Sequence, residues 1–412
     1  MAANELRIHR LVQEVVRHKM DERTLRAVHA AVAVLISAVW PYVSGTDPTR
    51  NQAWRVPIAE RYTPHICKLE DLFGPDMRDG KYDGTATSGY VFSSYAWYIA
   101  ERGIPDQSEV FASLAQKILN KALHHGAADE ERITHWLGEA HHISSLAACL
   151  TGSSDGTEHA NTWLSIVHDR IMKYNDTSDR LALATAYNQM GICLVNKDQI
   201  EDAMDSFQKS LTIFRSVEDA PQFSGTFPAL SLSHLFTLRG RPDEGEEVLA
   251  PVLEEHERIL GEDDTSTTEC GHIWRAMGNI RSGQQRYDEA LQYHDRAVKN
   301  IRVTLGEKHY FTGDCFYSLA AELERKGDYK RAIENLDGAI EAFTAASHRE
   351  AQGARAIWRK GCLLKKMGDD STSIQLSQQA MALRRGLVPF DNRPVERLND
   401  EDWTKLVIYW SR

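Results

Sequence analysis

A small residue recurs along this sequence at a nearly constant interval, and this recurrence constrains the fold more than any other feature. Five such residues, here called the anchors, are separated by 42, 45, 42 and 41 residues: Gly191, Ser233, Gly278, Ala320 and Gly361. After each anchor comes a break, and then a second apolar segment, which in the clearest copies opens with acidic residues. A fixed period of this size is typical of repeat architectures, in which each unit buries its apolar face only against its neighbours.

The clearest copy of the repeat runs from Trp274 to Leu305. Trp274 and Gly278 lie on one face of a first helix, residues 284–286 form a turn, and Ala290 lies early in a second helix. Two weaker copies can be followed upstream through Ala96 with Gly103 and through Ser145 with Gly152. The sequence therefore predicts an all-α, right-handed α-solenoid of about five clear and two degenerate long tetratricopeptide-type helix pairs with helical caps.

Charge and hydrophobicity narrow the classes of partner. The formal net charge is −11 and no long Lys/Arg cluster occurs, which argues against nucleic acid as the partner. The longest apolar stretch, Ala27 to Trp40, contains His29 and is too short to cross a bilayer. The six cysteines are widely spaced without a CxxC pair, so we expect reduced thiols in a cytoplasmic protein.

Two resemblances to known families rest on particular motifs. Residues 287–291 (YDEAL), taken with residues 305–309 (LGEKH), resemble the long repeat of kinesin light chains. The opening residues 6–13 and the closing residues 398–412 are similar to parts of the repeat arm of fungal NLR-type proteins, whose nucleotide-binding domain drives switching. No GxxxxGK[ST] loop occurs in this sequence, so the resemblance implies a recognition arm without the ATPase.

Four regions are expected along the chain. Residues 1–60 form an N-terminal helical cap or a remnant linker region, with helices at Ile8 to Met20 and Thr24 to Val39 and a loop from Ser44 to Pro57. Residues 61–177 hold the degenerate copies and residues 178–385 hold the long repeat array. Residues 386–412 form a linker and a last helix, for which Asn399 to Asp402 resemble a capped start.

The first helices of such a solenoid line a concave groove, and the register of the anchors predicts which side chains face it. The predicted groove residues are Asn188, Arg275, Asn279, Tyr317, Arg355, Trp358 and Lys365. The cations would bind acidic groups of a peptide, and the aromatic rings would hold its apolar side chains. The kinesin light chain resemblance implies a peptide-binding asparagine at Asn188. Alternatively, the charges only solvate the groove and Trp358 packs between helices.

Catalytic and metal sites are not indicated. The seventeen histidines include the pairs 124–125 and 141–142, but adjacent histidines point in different directions and no HExxH motif occurs. No GxSxG motif is present, and pairs such as Glu246 with Glu247 fall where exposed charge is expected. We therefore expect no enzyme activity, no metal and no cofactor.

Three functions remain open. The first is an interaction scaffold or adaptor whose groove binds a peptide or helix of a partner protein. The second is a regulatory arm that acts on a separate NLR-type NTPase. The third is an accessory factor or enzyme of a fungal metabolic pathway that uses residues 40–177, rich in histidine and aromatic residues, as a pocket.

Overall fold

The computed structural model describes residues 19–41, 52–218 and 220–412. Within these ranges the chain is all-helical, and the only β-type pairing is an isolated bridge between Gln52 and Thr267. The predicted helix at Ile8 to Met20 and the family-like residues 6–13 lie almost wholly outside the described residues. Most of the predicted loop from Ser44 to Pro57 also lies outside the described residues. Its last part was predicted wrongly, because a helix begins at Arg55.

The described part of the chain contains seventeen α-helices. They are α1 (Glu22–Val39), α2 (Arg55–Arg78), α3 (Ala86–Glu101), α4 (Pro105–His124), α5 (Glu130–Thr151), α6 (Gly156–Lys173), α7 (Thr177–Asn196), α8 (Ile200–Ser216), α9 (Thr226–Leu238), α10 (Pro242–Leu260), α11 (Thr268–Gly283), α12 (Tyr287–Thr304), α13 (Tyr310–Arg325), α14 (Tyr329–Ala345), α15 (Glu350–Lys366), α16 (Asp370–Leu387) and α17 (Asp400–Thr404). Helices α3 to α16 pack as seven consecutive pairs. The predicted solenoid of five clear and two degenerate pairs is confirmed.

The turn inside each pair repeats one backbone feature. Seven residues after every anchor, including the two degenerate ones, the chain adopts a left-handed conformation with positive φ. These residues are Gly103, Gly152, Asp198, Gly240, Gln285, Gly327 and Gly368, with φ between 58° and 90° in every case. A left-handed residue at this place ends the first helix and reverses the chain. The recurrence shows that all seven pairs share one register.

Close contact between the two helices of a pair explains why the anchors are small. A Cβ atom added at Gly278 would lie 2.5 Å from the ring of His294 on α12, and one added at Gly191 would lie 2.5 Å from the ring of Phe207 on α8. Both distances are too short for non-bonded carbon atoms. The second helix therefore packs directly on the backbone of the first, and Ala290 and Phe207 are fully buried.

The array curls until distant repeats touch. His309, at the start of α13, donates from Nε2 to the carbonyl oxygen of Glu101 at 3.0 Å, so the sixth pair contacts the end of α3. Arg349, just before α15, donates to the carbonyl oxygen of Leu150 at 3.0 Å. Ala53 donates from its main-chain nitrogen to the carbonyl oxygen of Ser266 at 2.8 Å. The first helices, which neighbour one another along the array, thus surround an internal channel.

The last residues return to the array. After α16 the chain passes through residues 388–394 without regular structure and reaches α17, whose predicted capped start is confirmed by reciprocal hydrogen bonds between Asn399 and Asp402. Trp403 on α17 is fully buried and stacks on Trp358 of α15, with ring centroids 5.4 Å apart. From there the chain enters the channel.

Candidate binding channel

Residues 409–411, here called the inner segment, lie in the channel against the first helices of four consecutive pairs. They form a single 3₁₀ turn, in which Tyr409 and Ser411 are buried and Trp410 is half-buried. The helices that surround the inner segment are α9, α11, α13 and α15. A short piece of the chain itself therefore occupies the second half of the concave surface.

Three successive main-chain carbonyl groups of the inner segment each accept a hydrogen bond from a different repeat. His234 on α9 donates from Nε2 to the oxygen of Tyr409 at 2.9 Å. Arg275 on α11 donates from Nη1 to the oxygen of Trp410 at 3.0 Å. Arg355 on α15 donates from Nη2 to the oxygen of Ser411 at 2.6 Å. These bonds fix the backbone of the segment and do not depend on its side chains.

The side chains of the inner segment are held as well. The Tyr409 hydroxyl donates to the carbonyl oxygen of Ser231 at 2.9 Å. The Ser411 hydroxyl donates to Oδ2 of Asp314 at 2.9 Å and accepts from Nε2 of Gln352 at 3.2 Å. The buried hydroxyl groups of Tyr409 and Ser411 thus each meet a specific partner, as buried polar groups require.

Buried charge surrounds Ser411. Burial raises the pKa of Asp314, although the nearby guanidinium groups of Arg275 and Arg355 act in the opposite direction. Nε of both arginines and Oδ1 of Asp314 have no hydrogen-bond partner among the described residues. Two buried cations therefore face one buried carboxylate, and this part of the channel has an excess of positive charge.

His234 is neutral in this environment. Burial lowers its pKa to about 4, and the hydrogen bond to Tyr409 only partly opposes that shift. Because Nε2 bonds to a carbonyl oxygen, the proton of the neutral ring lies on Nε2. His234 therefore acts as a hydrogen-bond donor to the inner segment without adding charge.

The predicted groove residues fall into three groups. Arg275 and Arg355 bond to the inner segment, and Tyr317 lies beneath Arg355, whose guanidinium carbon is 4.0 Å from the ring centroid. Trp358 packs against Trp403 and so faces the returning chain. The other three do not bond to the inner segment: Asn188 accepts a hydrogen bond from Ser231, Asn279 is half-buried and Lys365 is exposed.

Sequence reasoning missed channel residues for which the register contains the signal, as well as His234 and Gln352, for which it does not. The predicted residues Arg275, Tyr317 and Trp358 lie three residues before an anchor. The position six residues before an anchor is one helical turn away on the same face. It carries Thr185, Phe227, His272, Asp314 and Arg355, all of which face the channel, and only Arg355 was predicted.

The other half of the channel contains a cavity of about 270 Å³. Its wall combines residues 52–56, the ends of α3 and α5, helix α7, the segment 221–228 and the starts of α11 and α13. It includes Asn188 and His272 but no residue of the inner segment. A cavity of the kind that a metabolic role for residues 40–177 would need is therefore present. Much of its wall, however, comes from the long repeat array that follows residue 177.

Neither a metal site nor a membrane-spanning helix is found in the described residues. There, no three His, Cys, Asp or Glu side chains converge as a metal site would require. The neighbouring rings of His141 and His159, whose Nδ1 atoms are 3.1 Å apart, have no third ligand of this kind in that part of the chain. None of the described helices is long and apolar enough to cross a membrane.

Comparison with known proteins identifies the repeat. The family model described as tetratricopeptide repeat matches residues 184–216 and residues 269–345. These ranges cover most of α7, all of α8 and the pairs α11/α12 and α13/α14. No curated protein matches the chain in sequence.

Solved structures show the same fold at low sequence identity. A Rap protein complexed with competence and sporulation factor is 12% identical, with a TM-score of 0.51, over 78% of this chain and 80% of that one. A STAND protein with a tetratricopeptide repeat sensor from Pyrococcus horikoshii is 14% identical, with a TM-score of 0.50, over 97% of this chain and 57% of that one. Structural similarity is lower, with a TM-score of 0.39, to the nearly identical TPR-like repeats of a kinesin light chain from Podosopora anserina, which are 16% identical over 51% of this chain and 94% of that one.

Proposed function

Because the chain is built from tetratricopeptide repeats, we propose that it is a cytoplasmic interaction scaffold, and not an enzyme, whose channel binds a short peptide segment of a partner protein. The observation that carries this proposal is the inner segment. Its three successive carbonyl oxygens are bonded by His234, Arg275 and Arg355 from three different repeats. Side chains that bond to main-chain carbonyl groups can bind many peptides of suitable shape, because every peptide has those groups.

The chemistry around the inner segment suggests the kind of partner. The excess positive charge of Arg275 and Arg355 over Asp314 favours an acidic group on the peptide. The aromatic surroundings of Tyr409 and Trp410, which include the ring of His234, favour aromatic residues beside it. The solved structure of a Rap protein, which has this fold, is a complex with competence and sporulation factor. A bound molecule in a protein of this fold agrees with such a role.

In the proposed ligand-free state the inner segment occupies the peptide-binding site in the channel, so a partner peptide must displace it. The apparent affinity of a ligand falls in proportion to the fraction of molecules in which the site is open. We therefore expect weak binding by the intact chain and stronger binding when the inner segment is loosened.

A peptide experiment tests this proposal. The probe is a fluorescein-labelled peptide with the sequence of residues 406–412, and its binding is followed by fluorescence anisotropy. The intact chain is compared with a Tyr409→Ala/Ser411→Ala variant, and that variant with one that also carries Arg275→Gln/Arg355→Gln. We expect the loosened variant to bind at least about tenfold more tightly than the intact chain, and the added arginine changes to abolish the gain.

Controls make the result specific. Met172→Ala, at a residue that is 88% exposed, should leave binding unchanged. Circular dichroism must show that each variant keeps its helical content. If the loosened variant keeps its helices and still does not bind the peptide, the channel is a structural interior and the proposal is wrong.

A second function is favoured by one comparison. The STAND protein with a tetratricopeptide repeat sensor has the fold of nearly all of this chain, and the chain spans about 57% of that protein's length. The present chain would then act as a regulatory arm for a separate NLR-type NTPase. Purification of the intact chain from native extract, followed by mass spectrometry, should recover a P-loop NTPase in that case. A clean purification without one would count against this function.

A further inference from the structure

We propose that the cavity beside the inner segment binds an uncharged, planar aromatic group of two fused rings that carries one hydrogen-bonding N–H or O–H on its edge. The proposal does not depend on the peptide function, because the cavity contains no residue of the inner segment. It rests on the size of the cavity, on the aromatic rings in its wall and on two polar side chains, His272 and Asn188. Both ring nitrogens of His272 and Nδ2 of Asn188 have no hydrogen-bond partner among the described residues.

The volume sets the size of the ligand. The cavity measures about 270 Å³. An apolar cavity of about 150 Å³ binds benzene, which has one ring. The space here is roughly twice as large, so it fits a two-ring ligand.

The wall sets the ligand's chemistry. Aromatic side chains reach the cavity from both halves of the chain, among them Trp97, Phe214, Phe223 and Phe311. Aromatic rings bind one another in offset or edge-to-face arrangements, which favours a planar aromatic ligand over a flexible aliphatic one.

His272 supplies the polar contact. Its ring stacks on Phe311, with centroids 3.8 Å apart and planes inclined by 26°, and meets the edge of Phe227. Burial lowers its pKa to about 3, so the ring is neutral and offers one N–H donor and one nitrogen acceptor. Neither nitrogen has a hydrogen-bond partner among the described residues, and the half-buried ring borders the cavity.

Asn188 adds a second polar contact. Its Oδ1 accepts the hydroxyl of Ser231 at 3.3 Å, while Nδ2 has no partner among the described residues. The charged residues of the wall are Glu101, Glu269 and Arg102, and their formal charges sum to −1. An anionic ligand is therefore disfavoured, and an uncharged one with a polar edge matches the wall.

Size-matched probes test the proposal by isothermal titration calorimetry on the intact chain. Indole and indene have the same two-ring outline, but only indole carries an N–H. We expect indole to bind about fivefold more tightly than indene, the value of one net hydrogen bond, and benzene to bind more weakly than either. Indole-3-acetate should bind more weakly than indole because of its charge.

Variants locate the probe. Ala100→Phe and Ile192→Phe each place a ring in the cavity and should reduce indole affinity at least tenfold, whereas Val303→Phe, at a residue that is 65% exposed, should not. His272→Phe keeps the stacked ring but removes both nitrogens, so it should bring the indole and indene affinities together. If a filling variant fails to fold, His272→Phe still decides whether the polar contact exists.

The source of the aromatic group is decided by one more probe. N-acetyltryptophanamide carries the indole on a peptide-like backbone. Binding as tight as that of indole would indicate a tryptophan of a partner peptide, and failure to bind would indicate a free small molecule. The proposal is overturned if no two-ring probe binds at millimolar concentration, or if indole binds equally well to both filling variants with intact helices.

Discussion

Arg355 donates a hydrogen bond of 2.6 Å to the carbonyl oxygen of Ser411 while its guanidinium lies over the ring of Tyr317 at 4.0 Å. One buried side chain thereby joins the returning end of the described chain to the inner wall of the sixth repeat. Burial lowers the pKa of this guanidinium, and the Tyr317 hydroxyl and the Asp314 carboxylate oppose the shift. Asp314 therefore compensates the charge of Arg355 in part.

The bond between Ser411 and Asp314 leads to the first prediction. Ser411→Ala removes the only hydrogen-bond donor to Asp314 that the described residues supply, and it should lower the free energy of unfolding by about 1–3 kcal/mol. Asp314→Asn should cost about 3 kcal/mol, because Arg275 and Arg355 then face no buried anion. Urea unfolding followed by circular dichroism measures both.

The double variant is the control for this prediction. Because the two side chains interact directly, the costs of Ser411→Ala and Asp314→Asn should not add in the double variant. Additive costs would show that the hydroxyl and the carboxylate act independently, and that the inner segment is not held through this pair.

Closure of the array leads to the second prediction. Arg349 is fully buried, donates to the carbonyl oxygens of Leu150 and His348, and lies over the ring of Tyr310. Arg349→Ala should lower the free energy of unfolding by about 2 kcal/mol, because a buried carbonyl loses its donor and a cavity forms. In combination with His309→Ala it should also increase the radius of gyration in small-angle X-ray scattering. Arg331→Ala, at an exposed arginine, should change neither quantity.

The repeat register could be predicted because it depends on residues close together in the sequence. A small anchor and a turn residue seven positions later lie in one helix and its cap, and both leave a direct trace in the sequence. The same pattern locates even the degenerate copies around Ala96 and Ser145, which have left-handed glycines at Gly103 and Gly152.

The return of the inner segment could not be predicted, for a physical reason. Arg275 and Trp410 are separated by 135 residues, and their meeting depends on the curvature of the whole array. That curvature is the sum of small rotations between neighbouring repeats, which no single motif encodes. The groove residues at Arg275 and Arg355 followed from register, whereas the occupant of the groove did not. The expected domain boundaries stay predictions, and α2 crosses the one placed between residues 60 and 61.

Buried histidines lead to the third prediction, on pH. Burial lowers the pKa of His294 and His272 to about 3 and that of His234 to about 4. In the unfolded chain these residues titrate near 6.5, so between pH 6.5 and about 4 the unfolded chain binds more protons. Their contribution to stability is therefore fully present above pH 6.5 and is lost as the pH falls.

Urea midpoints at pH 7.5, 6.0 and 5.0 measure this dependence. Each of these histidines should contribute a slope of about 1 kcal/mol per pH unit below pH 6. His294→Phe removes one titrating group from the contact with Gly278, so the pH dependence of its midpoint should be smaller than that of the unchanged chain. An identical slope in His294→Phe would mean that His294 does not remain neutral in the folded chain.

The turn residues lead to the last prediction, which concerns one position in two repeats. Gln285 has a φ of 63°, and the equivalent Gly327 has a φ of 77°. A residue with a Cβ atom is destabilised by about 1–2 kcal/mol in this conformation. Glycine avoids this strain, but fixing its backbone costs about 0.5–1 kcal/mol more conformational entropy on folding, because the unfolded chain is more flexible at glycine. Gln285→Gly should therefore raise the free energy of unfolding by about 0.5 kcal/mol.

The reverse change at the other repeat tests the same balance. Gly327→Gln should lower the free energy of unfolding by about 0.5 kcal/mol, and steric contact cannot account for the loss because no atom lies within 4 Å of the added Cβ. Asp198, with a φ of 59°, is the matched case in a third repeat. Aspartate tolerates the left-handed region better than glutamine, so Asp198→Gly should gain less than Gln285→Gly. Equal gains at both positions would show that glycine acts there through something other than relief of left-handed strain.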